Sequence, residues 1–174
     1  MIGTYCENVE HRPTPHGGEY MPGVFSVTNN VMHGSVDAAT PDGRRAYEPV
    51  SDCMGPVHTR FGSPDISGPT AVASSVAKMD HARIGNGIIL NWKFSPGTVA
   101  GPEGREKLIA LMKAYFAQGG MQSQFSIVGR DTLLAAQEKP ADYKGLLVRI
   151  AGYSAYFVEL SEGLQNDLIG RTEF

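Results

Sequence analysis

The sequence predicts an α/β protein, and three observations carry that prediction. Short runs rich in β-branched and aromatic residues, at 24–31, 87–94, 122–128 and 146–150, read as strands. Segments with apolar residues at helical spacing, at 69–78, 103–117, 132–138 and 154–168, read as helices. Third, the set of elements looks incomplete. The first helix, within residues 1–12, has no buried stripe of its own, and the irregular stretch from His33 to about Ser67 is too long for its surroundings. A self-sufficient domain of 174 residues need not look like this, whereas a piece of a larger architecture would.

Taken in order, the first helix ends at Pro13-Thr14-Pro15-His16-Gly17-Gly18, which no helix can continue through. The strand at 24–31 is Val24-Phe25-Ser26-Val27-Thr28-Asn29-Asn30-Val31. Turn signals punctuate the long stretch after it, at Pro41-Asp42-Gly43, Gly55-Pro56 and Gly62-Ser63-Pro64. Pro69 stands at a helix start, where its missing N–H does no harm. On the helix at 103–117, Leu108, Leu111, Met112 and Tyr115 share one face, and Gly119-Gly120 ends it. Asp131 is placed to cap the helix at 132–138. Tyr156, Leu160, Leu164 and Leu168 recur every four residues along the last helix.

Composition excludes several function classes. The net charge of −3 comes with no basic stripe, so no nucleic-acid partner is expected. No apolar stretch approaches the roughly 18 residues of a membrane span, and the first residues lack a signal-peptide layout. A soluble, cytoplasmic protein is the expectation. Cys6 and Cys53 form no CxxC pattern, so neither a disulfide framework nor a zinc site is expected. His11, His16, His33, His58 and His81 show no ligand spacing, no metal site is expected, and Asp80-His81 reads as a surface or capping pair. No phosphate loop is evident.

The segment with chemical content is Arg149-Ile150-Ala151-Gly152-Tyr153-Ser154. A glycine between an extended run and a helix is ordinarily a turn residue, because it alone adopts positive φ without steric cost. The wider stretch Leu147-Val148-Arg149-Ile150-Ala151-Gly152-Tyr153-Ser154-Ala155-Tyr156-Phe157-Val158-Glu159-Leu160, continued through residues 164–172, resembles the C-terminal signature of glycyl radical enzymes. Upstream, Pro41-Asp42-Gly43-Arg44-Arg45-Ala46 resembles that family's Gly-Arg-Lys-Ala stretch, with Arg45 in place of lysine. Gly68-Pro69-Thr70-Ala71-Val72, Ser75-Val76-Ala77-Lys78, Lys93-Phe94-Ser95-Pro96 and Gly120-Met121-Gln122-Ser123-Gln124-Phe125 resemble family segments in the same order. The resemblance covers nearly the whole chain. The stretches around Arg45 and Gln124 are closer to the dehydratase and C–X lyase branch than to pyruvate formate-lyase.

The resemblance implies a fold: the C-terminal part of a ten-stranded α/β barrel, incomplete without a larger partner chain. Residues 1–118 would be barrel portion and residues 119–174 the glycyl radical domain. It also implies a radical at Gly152, installed by a separate S-adenosylmethionine-dependent, iron–sulfur activating enzyme, with no cofactor bound by this chain. The radical carbon is planar and stabilised by the neighbouring amide nitrogen and carbonyl, and a side chain there would crowd it. Arg149, Tyr153 and Ser154 would be read by the activase or pack the glycine loop. Gly119-Gly120 is either a flexible boundary of that loop's domain or an ordinary helix end.

The family also needs a cysteine several hundred residues upstream, whose thiyl radical attacks the substrate. Cys6-Glu7 lies only 146 residues before Gly152 and within a helix, and Cys53 occupies a loop position where the family often has glycine, so neither is expected to serve. Three roles follow: the small subunit of a split enzyme, a spare part replacing an oxygen-damaged C-terminus, or a non-catalytic binding partner. Because the match begins well before the radical domain, the first is expected. The substrate would be a small polar molecule, and Phe25, Ser26, Thr28 and Asn29 are candidate pocket residues or barrel packing. They include no arginine, which disfavours a sulfonate or carboxylate held from that strand.

Overall fold

The computed structural model describes residues 2–26, 29–55, 57 and 65–174. The elements are mixed α and β: α1 (Ile2–Val9), α2 (Asn30–Gly34), α3 (Pro69–Val76), β1 (Asn91–Phe94), α4 (Gly101–Ala117), β2 (Gln124–Ile127), α5 (Arg130–Glu138), β3 (Leu147–Arg149), β4 (Ser154–Tyr156) and α6 (Glu162–Gly170). Strands β1 and β2 are parallel neighbours, with Trp92 opposite Phe125, and α4 is the crossover between them. Single parallel bridges add Val24 beside Ile88 and the tail residue Glu173 beside Lys93. Strands β3 and β4 form a separate antiparallel hairpin with Arg149 opposite Ser154.

Among the described residues, three apolar clusters hold these pieces. Trp92 and Phe94 of β1 pack with Leu90, Ala73 of α3 and Tyr115 of α4. The hairpin is held by a second cluster, in which Ile150 and Phe157 meet Leu133 of α5 and Leu168 of α6. Cys6, Ile84 and Ile88 make the third. At the end of α4 the two glycines have separate duties. Gly119 takes φ +96, and at Gly120 the Tyr115 ring lies where a Cβ would stand. Both fit a helix end that the chain must leave sharply.

Several expectations are corrected. Among the described residues, the strand at 24–31 shows one bridge at Val24, and Asn30 instead opens α2, its buried amide donating to Asp167 at 3.0 Å. Residues 27 and 28 lie outside the described residues. The helix expected from Ser154 begins only at Glu162, since residues 154–156 turn back to pair with β3, and a 3-10 turn follows at Phe157–Glu159. Asp131 sits inside the first turn of α5. The carboxylate of Glu173, arriving from the tail, takes the Arg130 N–H at 2.7 Å instead. On α4 the expected face is mostly half-buried, and Tyr115 alone of the four is fully enclosed. His81 is not at the surface: it is 3% exposed, with Nε2 2.9 Å from the Val76 carbonyl and its ring edge-on to Tyr115.

Candidate functional site

Gly152 occupies the tip of the β3–β4 hairpin at φ +86, in the region that favours glycine. Its N–H donates to Oε1 of Gln124 at 3.0 Å, and its carbonyl accepts from the Arg149 guanidinium at 3.1 Å. The same Gln124 oxygen accepts from Arg149 Nε at 3.0 Å. Arg149 also reaches Ser154 Oγ at 3.4 Å, and the Ile150 N–H closes the turn onto the Tyr153 carbonyl at 2.9 Å. Arg149 and Ser154 therefore pack the loop, while the Tyr153 side of the tip stays open, with that residue 41% exposed. A Cβ on Gly152 would meet only Ile89 Cδ1, at 3.6 Å. The crowding expected around this carbon is not found within the described residues, and the backbone angle is what demands glycine.

A chain of buried polar groups runs back from the tip. Gln124 donates its amide to Asn91, whose own Nδ2 bonds the Asp52 carboxylate at 2.9 Å. Asp52 pairs with Arg171 at 3.0 Å, and Arg171 also pairs with Asp167 at 3.0 Å. A further Arg171 nitrogen donates to the Ile150 carbonyl at 3.0 Å, two residues before the glycine. One cation thus ties two carboxylates on separate elements to the backbone of the hairpin. Burial lifts the Asp167 carboxyl above its usual range, and the Arg171 charge offsets this only in part. For Arg171, burial works against the charge but Asp52 and Asp167 outweigh it, so the guanidinium is held above its ordinary value. Nearby, Lys93 Nζ donates to the Leu168 and Ile169 carbonyls at 3.3 and 3.1 Å, and burial pushes it down to about 8.

The remaining sequence-predicted residues stand apart or outside. Ser26 Oγ donates to the Ser51 carbonyl at 3.0 Å and lies 4.0 Å from the Cys53 sulfur, which in turn is 3.9 Å from Asn91 Nδ2. Ser26 is thereby joined to the polar chain. Phe25 and Asn29 are exposed, and Thr28 lies outside the described residues. Cys53 has φ +138, a conformation suited to the glycine expected at that position, and burial pushes its thiol up. Cys6 is enclosed in the third cluster. Among the described residues, no group of acidic, histidine or cysteine side chains could hold a metal ion, and no helix is long and apolar enough to cross a membrane.

Gln124, Asn91, Asp52 and Arg171 were not singled out by sequence. Gln124 lies within one of the family-like stretches and Arg171 within the C-terminal one, but nothing local distinguishes a buried glutamine or arginine from a solvated one. A polar residue at an inward position of a predicted strand was the available signal.

The glycine radical family model matches residues 54–158, over half of the chain and the whole of the hairpin. The chain belongs to the glycyl radical family. A (2S)-3-sulfopropanediol dehydratase of Klebsiella oxytoca is 52% identical over 99% of this chain, which spans 21% of that protein. Among solved structures, one from Roseburia inulinivorans described for 1,2-propanediol dehydration superposes with a TM-score of 0.93 at 48% identity. The glycerol-bound glycerol dehydratase of Clostridium butyricum superposes equally, at 0.93 and 42% identity. Both overlays cover 99% of this glycyl radical chain and 21% of the neighbour. The chain is therefore about a fifth of the length of these three relatives, each of which is named for dehydration.

Proposed function

We propose that this chain is the radical-storing part of an oxygen-sensitive glycyl radical enzyme, with Gly152 as the radical carrier. One observation carries the reading: the glycine of the family signature stands at a hairpin tip, at positive φ, with hydrogen bonds on both of its peptide groups. Family membership and similarity to enzymes named as dehydratases support elimination of water, or of another leaving group, from a small polar substrate. Similarity to a sulfopropanediol dehydratase widens the candidate substrates to sulfonated diols, whose anionic group would be held from outside the 24–31 stretch.

In the proposed cycle a separate radical-SAM activase removes one hydrogen atom from the Gly152 Cα. The carbon radical then takes a hydrogen atom from a cysteine thiol outside these residues, on a larger partner chain that completes a ten-stranded barrel. The thiyl so formed abstracts hydrogen from the substrate, and the thiol returns it to the product radical after the leaving group departs. Each transfer requires near-contact of the atoms concerned. The burial of Cys6 and the raised thiol of Cys53 both speak against either as that partner.

Finer assignments belong to the same proposal. Tyr153, 41% exposed at the hairpin tip, is open to an activase, with Arg149 and Ser154 acting mainly on the loop itself. Phe25, Ser26, Thr28 and Asn29 remain pocket candidates. A division into residues 1–118 and 119–174 would separate two strands that are hydrogen-bonded to each other, so we place it as a functional rather than a packing boundary. The enzyme would work in the cytoplasm. Anaerobic incubation with a radical-SAM activase and S-adenosylmethionine tests the core of the reading: electron paramagnetic resonance should give a doublet, and a silent sample in the presence of an active activase would reject it.

A further inference from the structure

We propose that residues 172–174 are a strap that fastens the radical-bearing unit of the fold to the β1–β2 sheet, and that slipping this strap frees the Gly152 hairpin to move as one piece with its helices. The use of that movement in activation rests on Gly152 being the radical carrier. The strap itself does not.

The apolar core is divided between two bodies. Helix α5, the β3–β4 hairpin and α6 share one cluster, through Leu133, Ile150, Phe157 and Leu168. The sheet shares another with α3 and α4, through Trp92, Phe94, Ala73 and Tyr115. Among the described residues the ties between the two bodies are mostly polar. Lys93 donates to the Leu168 and Ile169 carbonyls, the Gly152 N–H donates to Gln124, and Ser126 Oγ donates to the Arg149 carbonyl at 3.2 Å. Ile89 adds an apolar contact at the edge of the first cluster. A boundary of that composition resembles the contact between domains that shift against each other more than it resembles a continuous core.

The tail crosses that boundary. The Phe174 N–H donates to the Lys93 carbonyl and the Ser95 N–H to the Phe174 carbonyl, both at 2.9 Å, so the tail runs as an added strand beside β1. The Phe174 ring packs against the sheet's cluster, its centroid 6.0 Å from that of Trp92 and 5.9 Å from that of Phe94. Glu173 ties the tail to the other body. Its carboxylate takes the Arg130 N–H at the start of α5 at 2.7 Å, and lies 4.0 Å from Lys93 Nζ. Thr172 Oγ1 donates to Asp65, in the loop before α3, at 2.6 Å. Three consecutive residues thus join α5 and α6 to β1 and to that loop.

The proposed cycle gives this strap a use. The Gly152 Cα must meet two reactants in turn, the activase and the partner's thiol, each in near-contact. As folded, the tip lies against Ile89, whose Cδ1 is 3.6 Å from where a Cβ would stand, and its N–H is tied to Gln124. Lifting the unit frees both together. The hairpin need not unfold for this, because bonds such as that from the Phe157 N–H to the Leu146 carbonyl, at 2.9 Å, lie within the unit. Glu173 and Phe174 carry no group to the reaction. They are positioning residues.

Hydrogen exchange at single amides of the whole, unactivated chain tests the strap. Phe174→Ala should speed exchange at N–H groups whose bonds cross the boundary, those of Ser95, Arg149 and Gly152, by about fivefold, as for the loss of one hydrogen bond. The Phe157 N–H, bonded within the unit, and the Gln124 N–H, bonded to Leu90 within the sheet body, should keep their wild-type rates. Phe174→Leu still fills the cluster and should stay near the wild type. Should Phe174→Ala fail to fold, Glu173→Gln decides, since it keeps an acceptor for Arg130 and loses only the charge facing Lys93; the same selective pattern is expected. Acceleration at all five amides alike, or at none, would overturn the strap. Activation then tests its use: with activase and S-adenosylmethionine the doublet should rise about fivefold faster in the loosened variant, in proportion to the larger lifted population. A doublet rising at the wild-type rate would overturn the role in activation. Selective exchange with no doublet in any variant would sink the radical assignment and leave the strap standing.

Discussion

Among the described residues, a methyl group added at Gly152 would meet only the Ile89 side chain, at ordinary contact distance, so none of them forbids alanine there by space alone. The backbone angle does the forbidding, because at φ +86 an L side chain is strained by about 1–2 kcal/mol. Gly152→Ala should therefore fold, with urea unfolding showing a loss of about that size, and give no radical signal under conditions that activate the wild type. At Lys93 the demand is electrostatic. Its folded-state pKa of about 8 lies below the ordinary lysine value of 10.5, so the buried ammonium weakens the fold fully below pH 8. The penalty is relieved as the pH rises from about 8 to 10.5. Relative to Lys93→Met, the wild type should accordingly gain stability between pH 7.5 and 10.5, by up to ~3 kcal/mol at about 1.4 kcal/mol per pKa unit. A difference between the two that stays flat across that window would refute it.

Among the elements, the hairpin β3–β4 and helix α6 are stitched to the rest by one buried cation. Arg171, just past the end of α6, bonds the Ile150 carbonyl, Asp167 of that helix, and Asp52 far upstream. Arg171→Met would leave two buried carboxylates without the cation they share, a loss that in comparable pairs costs about 3–5 kcal/mol. Chemical denaturation should register that loss, and a change below about 1 kcal/mol would mean the triad contributes no more than a surface pair. These long-range ties explain what was legible in the sequence. Helices α3, α4 and α5 could be anticipated because proline, glycine and apolar spacing act locally. The four-residue spacing from Tyr156 to Leu168 falsely extended α6, since Phe157 is buried by the returning hairpin and only Leu164 and Leu168 by the helix itself. Asp131 looked like a cap because no local signal says that Glu173, from the tail, takes the role. The tip glycine was visible through its signature, but Gln124 and Arg171 act across 28 and 21 residues of sequence and leave no local trace.

At the scale of the whole molecule, β1 and β2 form a two-stranded parallel sheet, an arrangement that ordinarily lies inside a larger sheet with both faces covered. Exposed apolar side chains such as Leu147 of β3, Ile127 of β2 and Ile109 and Phe116 of α4 leave a surface suited to burial against more protein. Affinity capture of this chain from anaerobic lysate should accordingly retain a larger chain at 1:1 that carries the thiyl cysteine. Recovery of the chain alone, with full activity on a substrate, would contradict the need for such a partner.

The central claim, a radical at Gly152, is tested most directly by admitting air to the activated chain and measuring the masses of its fragments. A carbon radical in the backbone reacts with oxygen where it stands, so the account predicts a break at Gly152 and a C-terminal piece comprising about residues 153–174. A chain that stays whole after giving the doublet, or that breaks elsewhere, would contradict it.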